Sequence, residues 1–297
     1  MHTSNRLYLL IAGIVSLAAF QRAAAGRIPW SIRRADNGPF AGIGYGMWRD
    51  EETAGAVPVD SLSGGLTAYT VGLTRLGRHA GSLYGRLRLT GAFGTTRYQG
   101  NGALGLPAQG STADRIASAD ARLGVVIGGL WRQDRAAVLI PYLGAGFQRG
   151  ARGAGPGGID PGGMTYTAGH LGIGLCADYA LTERLVLSVH ALTGYTLGAQ
   201  VTTTVPIAYD AATGALESAR ITEPLGDRPY SVLGITIHYR VDRHLEIAFA
   251  VRRAAWSAAG AAPIPITGSS GQTVGVTQIP GSRDRETTTL IEAAIPF

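Results

Sequence analysis

The chain has 297 residues, with 26 basic and 20 acidic side chains and a formal net charge of +6 at pH 7. Only 15% of its residues are charged, against about 25% in a typical soluble domain, which indicates that part of the surface does not face water. The basic residues are dispersed along the chain, which argues against nucleic-acid binding, and the single Cys176 excludes an internal disulfide.

The first predicted element is an export signal. Residues 1–6 are polar with one Arg, residues 7–20 are apolar, and residues 23–25 are small. This order predicts a secretory signal peptide over residues 1–25, cleaved after Ala25. The apolar run is too short to span a membrane as a helix, and no later apolar run reaches the length of about 18 residues that a spanning helix needs. We expect residues 26–37 to be a basic periplasmic lead-in and residues 38–297 to form one domain.

That domain consists of strand patterns. In AGHLGIGLCADY, Leu171, Ile173 and Leu175 fall on one face, and His170 and Cys176 fall on the other. Such alternation with a period of two is typical of β-strands. The sequence predicts ten strands, over residues 39–49, 64–76, 82–95, 118–131, 137–149, 166–180, 184–199, 229–240, 244–256 and 286–297.

The links between these strands alternate in length, and this rhythm predicts the architecture. Short links such as LTER and VDR alternate with long ones near residues 50–63, 96–117, 150–165, 200–228 and 257–285. An antiparallel meander with short turns at one end and long loops at the other is typical of a transmembrane β-barrel with periplasmic termini. A soluble barrel or sandwich is the alternative, but the second face of these strands is rich in Gly, Ala and Thr and is poorly suited to water.

Aromatic residues in phase with the aliphatic face support the membrane interpretation. The sequence predicts two girdles, formed by Trp131, Tyr179, Tyr239 and Phe297 at the short-turn ends and by Tyr69, Phe93, Phe147 and Tyr195 nearer the long loops. Residues 201–222, and more weakly residues 263–279, have the pattern of hairpins that project beyond the membrane. If they spanned it instead, the barrel would have twelve strands; eight strands is the other alternative.

The signal peptide, the turn-and-loop rhythm and the ending LIEAAIPF resemble those of the bacterial outer-membrane β-barrel class, without indicating a particular family. The resemblance implies a location in the outer membrane of a Gram-negative bacterium. In that class the assembly machinery reads an aromatic-terminated closing strand, which implies an assembly signal in Ile291, Ala293, Ile295 and Phe297. Pro296 departs from the pattern, because proline has no backbone N–H to donate.

Ionisable residues collect on the predicted inward face: Arg86, Arg88, Asp120, Arg122, His170, Asp178, His190, His238, Arg240, Glu246, Arg252 and Glu292. We expect a three-residue turn at 241–243 to place His238 opposite Glu246, with Glu292 one strand further round. Charges in a narrow lumen must be paired or hydrated. The favoured interpretation is a charge-paired, mostly filled lumen in a structural or surface-interaction barrel. The alternative is a narrow channel that weakly favours anions.

An outer-membrane hydrolase is the third hypothesis. The omptin proteases are ten-stranded barrels with Asp and His residues at the extracellular rim, whereas here only His170 lies near that rim, without an aspartate pair. The lipid A deacylases carry His and Ser on the lipid-facing side, but Ser188 and His190 are in phase with the lumen. We therefore expect a monomer without catalytic residues, metal or cofactor.

The predicted partners are outer-membrane lipid, the barrel-assembly machinery and lipopolysaccharide, whose phosphates suit arginine. The arginines of the predicted loops are Arg97, Arg115, Arg149, Arg152, Arg220, Arg228, Arg283 and Arg285.

Overall fold

The computed structural model describes residues 27–54, 57–101, 107–127, 129–132, 135–153, 163–210, 215–258, 264–268, 272–277 and 281–297. Within these residues, one short helix, α1 (Trp30–Ala35), precedes fourteen strands. The strands are β1 (Gly38–Ala54), β2 (Val57–Leu76), β3 (Leu83–Asn101), β4 (Pro107–Val125), β5 (Gly129–Arg132), β6 (Arg135–Arg152), β7 (Met164–Ala180), β8 (Leu185–Asp210), β9 (Ala215–Pro224), β10 (Pro229–Arg240), β11 (Glu246–Ala258), β12 (Ile264–Gly268), β13 (Thr273–Thr277) and β14 (Gly281–Ala294).

Ten of these strands close into an antiparallel barrel. The order around the wall is β1, β2, β3, β4, β6, β7, β8, β10, β11 and β14, and β14 returns to β1 with Phe40 opposite Ala294 and Thr53 opposite Gly281. Closure gives every wall strand two hydrogen-bonded neighbours, which a sheet in hydrocarbon requires. The predicted all-β, ten-stranded, up-and-down barrel is confirmed, and the counts of eight and twelve are wrong.

The strands alternate because their side chains point in turn to the exterior and to the lumen. In β10 the burial alternates from Pro229 to Tyr239, with every second residue buried. The exterior is an apolar belt. Its exposed aliphatic residues include Ile43, Val71, Leu73, Leu87, Leu89, Leu123, Leu139, Leu143, Leu171, Leu175, Ile235, Ile237, Ile247 and Ile291. An exterior of this composition belongs in a bilayer, so the wall is a transmembrane barrel.

Aromatic residues flank the belt as the sequence predicted. Tyr69, Phe93, Phe147 and Tyr195 are exposed near the long-loop ends of their strands, and Tyr239 and Phe297 are exposed at the other end, where Tyr179 is half-buried. The rings of Tyr69 and Phe93 stack with their centroids 5.7 Å apart. The side chain of Trp131 lies outside the described part of the chain. No helix within the described residues is long and apolar enough to cross a membrane.

The long-loop side carries a projecting sheet. β8 has 26 residues, pairs with β10 only over its first half, and continues in a hairpin with β9. β12 and β13 form a second hairpin, and β12 runs parallel to β8 where Thr267 lies opposite Ala208. The predicted hairpin over residues 201–222 is therefore confirmed. At about 3.3 Å per residue, the last ten residues of β8 extend it by roughly 30 Å.

Two local expectations are wrong. The predicted strand 118–131 is divided, because β4 ends at Val125 and the short β5 resumes the pairing with β6. The closing strand ends at Ala294 rather than at Phe297, and the Ile295 N–H makes the last seam hydrogen bond to Pro39 O at 3.1 Å. Pro296 follows that bond and so removes no donor from the strand ladder.

The predicted lead-in over residues 26–37 contains α1, and its extent stays a prediction. The predicted signal peptide over residues 1–25 lies outside the described residues and stays a prediction.

Candidate functional site in the barrel lumen

The lead-in packs against the barrel interior at the periplasmic mouth of the lumen. Ile32 on α1 is completely buried and belongs to one apolar cluster with Tyr84, Val126 and Val138 of the barrel interior. Ile28 N–H donates to the carbonyl of Arg78 in a short turn at 3.1 Å. The sequence does not predict this helix, because six residues are too few for a convincing pattern. Its one signal is the pair of apolar residues Ile28 and Ile32 in a basic segment, of which only Ile32 lies within the helix.

Polar contacts tie α1 to the rim of the mouth. The Arg34 guanidinium donates to Asp242 O at 2.6 Å, in the turn between β10 and β11. The guanidinium groups of Arg34 and Arg240 lie 5.1 and 4.6 Å from the ring centroid of Trp30. Cation–π contacts of this kind each contribute about 0.5–1 kcal/mol at exposed sites. Arg240, one of the predicted lumen residues, therefore serves the mouth and not the interior.

Behind α1, Asp36 of the lead-in lies close to Asp178 of β7. Asp36 and Asp178 are 3% and 0% exposed. Burial raises the pKa of the Asp36 carboxyl well above its ordinary value, and the nearby Asp178 carboxylate raises it further. Two adjacent buried carboxyls cannot both ionise cheaply, so Asp36 retains its proton to higher pH than an isolated aspartate. Asp178 also lies opposite Ser188 on β8, and the Cys176 Sγ is 3.4 Å from its Oδ1.

The exposed turn beyond the mouth shows the opposite effect. The backbone N–H groups of His244 and Leu245 donate to Asp242 Oδ1 at 2.6 and 2.9 Å. These bonds favour the carboxylate and lower the pKa of Asp242. The turn spans five residues rather than the expected three, so Arg240, not His238, lies directly opposite Glu246. His238 still reaches that carboxylate diagonally, with Nδ1 2.8 Å from Oε1.

A cluster of two arginines and one glutamate lies in the middle of the lumen. Glu292 on β14 lies 2.5 Å from Arg88 Nη2 and 3.7 Å from Arg86 Nη2, and the three side chains are 4%, 6% and 11% exposed. Phe40 packs against both guanidinium groups, whose carbons lie 4.9 and 5.5 Å from its ring centroid. Gly42 faces Glu292 across the seam, and a Cβ at Gly42 would lie 2.8 Å from the Glu292 Cγ. The small residue therefore makes room for the carboxylate.

A second cluster lies nearer the extracellular side. Asp120 Oδ1 is 3.2 Å from His170 Nε2 and 3.5 Å from Arg252 Nη2. Arg252 donates to the Tyr230 hydroxyl at 3.2 Å, and the Tyr230 ring stacks on His170 at 4.4 Å between centroids. Trp256 lies 6.3 Å from the Tyr230 ring. The sequence placed His170, Asp120 and Arg252 on the inward face, but gave no sign that these aromatic rings would complete the cluster.

A third layer at the extracellular end was missed altogether. Arg152 Nη2 lies 3.4 Å from Asp50 Oδ2, and Arg152 Nε lies 3.6 Å from Asp114 Oδ1. Thr96 donates from its hydroxyl to the same Asp114 carboxylate. These residues belong to strand segments that the sequence analysis took for loops. Their inward phase, continuous with the strands below, is the signal that was available.

The remaining predicted lumen residues are placed as follows. The Arg122 guanidinium lies 5.2 Å from the Tyr142 ring centroid. His190 is buried beside Gly234, where a Cβ would overlap its imidazole ring. No carboxylate within the described residues lies within 4 Å of His190. Ser188 and His190 are both buried inside the barrel.

The inward side chains thus form three buried charge clusters, with apolar side chains packed among them. Every inward group of the three charge clusters is at most 13% exposed. In the ranges that the structure describes, no group of three or more His, Cys, Asp or Glu residues is arranged to hold a metal ion. A charged interior inside a closed wall, with an apolar belt between aromatic girdles outside, defines the class. The chain is an outer-membrane β-barrel.

Comparison with solved structures returns barrels of this kind. The outer-membrane protease OmpT from Escherichia coli shares 13% identity, with 88% of this chain and 97% of that chain covered and a TM-score of 0.46. Neisserial surface protein A gives 12% identity, coverage of 87% and 97%, and a TM-score of 0.29. Ail, the attachment invasion locus protein of Yersinia pestis, gives 10% identity, coverage of 88% and 99%, and a TM-score of 0.26.

No protein-family model and no curated protein matches the chain. The strand register and exterior of the chain itself, rather than these similarities, carry its assignment to the barrel class.

Proposed function

We propose that this protein is a non-enzymatic surface-interaction barrel whose lumen is sealed. The observation that supports the proposal is the series of buried side-chain clusters along the barrel axis, from α1 at the periplasmic mouth to Arg152 between Asp50 and Asp114 at the outer end. Buried charges without partners would cost several kcal/mol each, so the pairing favours a closed interior over an open one. The barrel then serves as a rigid anchor, and its contacts with the outside are made by the strands that project from it.

The projecting sheet has the construction of a binding platform. At its base, Ala168, Ala199, Val201 and Leu225 form a small buried cluster of their own. Further out, the hydroxyls of Thr202 and Thr222 lie 2.8 Å apart across the β8–β9 hairpin. A platform with its own core keeps one orientation relative to the barrel, which reduces the entropy lost when a partner binds. One chain closes the whole wall, so we propose that the protein acts as a monomer.

Conductance in planar bilayers tests the sealed lumen. We expect the full-length protein to give no sustained openings. Sustained openings that shrink when Arg86 and Arg88 are both replaced by Ala would instead establish an anion-favouring channel through the middle cluster.

Replacing residues 201–222 by a short turn tests the platform. Bacteria that display the shortened protein should attach less to one another, while the barrel keeps its heat-modifiable mobility on gels. The matched control removes residues 264–277 instead. Unchanged attachment by both variants would contradict the surface-interaction role without bearing on whether the lumen is closed.

A further inference from the structure

The outer wall carries a recess on one side of the barrel. A groove of about 510 Å³ crosses β2, β3, β4 and β6 within the apolar belt, and its lining is mostly apolar. Tyr69 lies on one side of it and Phe147 on the other, while Gly91, Ala117 and Ala119 lie between them. A Cβ added at Gly91 would meet no heavy atom within 4 Å. The recess therefore exists because small residues face outward between two aromatic rings.

Arginines lie at the extracellular end of this groove. Arg149 lines the groove itself and is opposite Ala117 on the adjacent strand β4. Arg115 lies two residues from Ala117 on that strand, towards the extracellular side, so Arg115 and Arg149 are diagonal neighbours. Diagonal neighbours of this kind have Cα atoms about 7–8 Å apart, which is within reach of one phosphate for two arginines. Phe93 on β3 is opposite Arg115, and Arg97 lies four residues further along β3 towards the extracellular side, on the same outward face. All three side chains are exposed on the outside of the wall.

These arginines have no acidic partner on their own surface. Among the described residues, no carboxylate lies within 4 Å of Arg97, Arg115 or Arg149. By contrast, the outward Arg49 on β1 is 2.9 Å from Glu51. Apart from Phe93, which is opposite Arg115, the outward positions of β3, β4 and β6 at this level are Thr, Gln, Ser and Ala. Unpaired guanidinium groups at the end of an apolar groove, level with the lipid headgroups, complement a ligand with an anionic head and an acyl tail.

We propose that this groove binds one molecule of lipopolysaccharide from the outer leaflet. An acyl chain lies between Tyr69 and Phe147, over Gly91, and a phosphate of the headgroup accepts hydrogen bonds from Arg115 and Arg149. Arg97 faces the sugar-phosphate part further from the membrane centre. The site is independent of the role proposed for the lumen and the hairpins. It assigns one face of the barrel to a specific lipid.

Binding of defined lipids to the full-length, delipidated barrel in detergent tests the headgroup part of the proposal. Native mass spectrometry should show one bis-phosphorylated lipid A bound per barrel. Replacing both Arg115 and Arg149 by Gln should weaken binding at least tenfold, since charge-assisted hydrogen bonds to two groups are lost. Lipid A without phosphates should bind the unaltered protein equally weakly. The matched control is Arg253→Gln, an exposed outward arginine on β11, which should change binding less than twofold.

Two further arms separate the lipid from a free anion. Gly91→Leu should fill the groove and weaken lipid binding severalfold. Its control is Gly85→Leu on the same strand, where an added Cβ also meets nothing within 4 Å, so both variants should keep the heat-modifiable fold. Millimolar inorganic phosphate should not displace the lipid. Equal losses for Arg253→Gln and the double variant, unchanged binding for Gly91→Leu, or full displacement by inorganic phosphate would each overturn the proposal.

Discussion

Among the described residues, Glu292 is the carboxylate that Arg86 and Arg88 share in the lumen. Replacing it by Gln leaves the shape of the site but removes the charge that faces Arg88 at 2.5 Å and Arg86 at 3.7 Å. Breaking a buried ion pair by removing one partner costs about 3–5 kcal/mol. Because the Gln carbonyl still accepts one hydrogen bond, we expect the lower end, a loss of about 3 kcal/mol in the free energy of unfolding.

Denaturant unfolding in detergent micelles, followed by tryptophan fluorescence, measures this loss. The matched control is Glu51→Gln, which breaks the exterior pair with Arg49, whose side chains are 62% and 24% exposed. A surface pair is worth about 0–1 kcal/mol, so the control should change the free energy of unfolding by less than 1 kcal/mol. Equal, small losses for the two variants would refute the claim that Glu292 neutralises a buried cluster.

A double-mutant cycle with Arg88→Gln tests whether the loss comes from this pair. The coupling free energy between Arg88 and Glu292 should exceed about 1 kcal/mol, because the two groups are in direct contact. A coupling near zero would mean that Glu292→Gln acts through the backbone of the β1–β14 seam instead.

Three further predictions concern residues at the periplasmic side of the barrel. The pKa of Asp36 is raised in the folded protein, so this group stabilises the fold below the ordinary aspartate pKa, and that stabilisation is lost as the pH rises towards the raised pKa. Asp36→Asn should therefore stabilise the protein more at pH 8 than at pH 4. A difference in denaturant midpoint that does not change with pH would contradict this. The pKa of Asp242 is lowered, so its contribution to the stability of the fold is present above the ordinary aspartate pKa and is lost on acidification. Asp242→Asn should therefore destabilise the protein at pH 7 but not at pH 2. Equal effects at the two pH values would exclude the charge as the cause. Phe297, 76% exposed at the end of the seam, is the predicted assembly residue, and Phe297→Ser should lower the amount of heat-modifiable barrel in the outer membrane, whereas normal levels would refute the assembly role.

The inward and outward faces could be predicted from the sequence by itself. Side chains alternate along a strand, so the phase of Leu171, Ile173 and Leu175 fixes the opposite phase for His170 and Asp178. The same rule identified both Arg88 and Glu292 as lumen residues. The rhythm of short and long links predicted ten antiparallel strands, because neighbours in a meander are also neighbours in the wall.

Only the tertiary structure decided which inward residues meet. Arg88 and Glu292 are 204 positions apart in the chain, and they touch because β14 closes on β1 and the small Gly42 lets the side chains cross that part of the lumen. The register of each pair depends on the length of its turn, as the five-residue turn before Glu246 shows, and a strand pattern does not contain that length. The helix over Trp30–Ala35 likewise gains its stability from the mouth it fills, since six residues have too little helical propensity of their own. Periodicity is a local property, so the sequence by itself predicts it. Contacts across the lumen depend on closure of the whole barrel, so only the tertiary structure decides them.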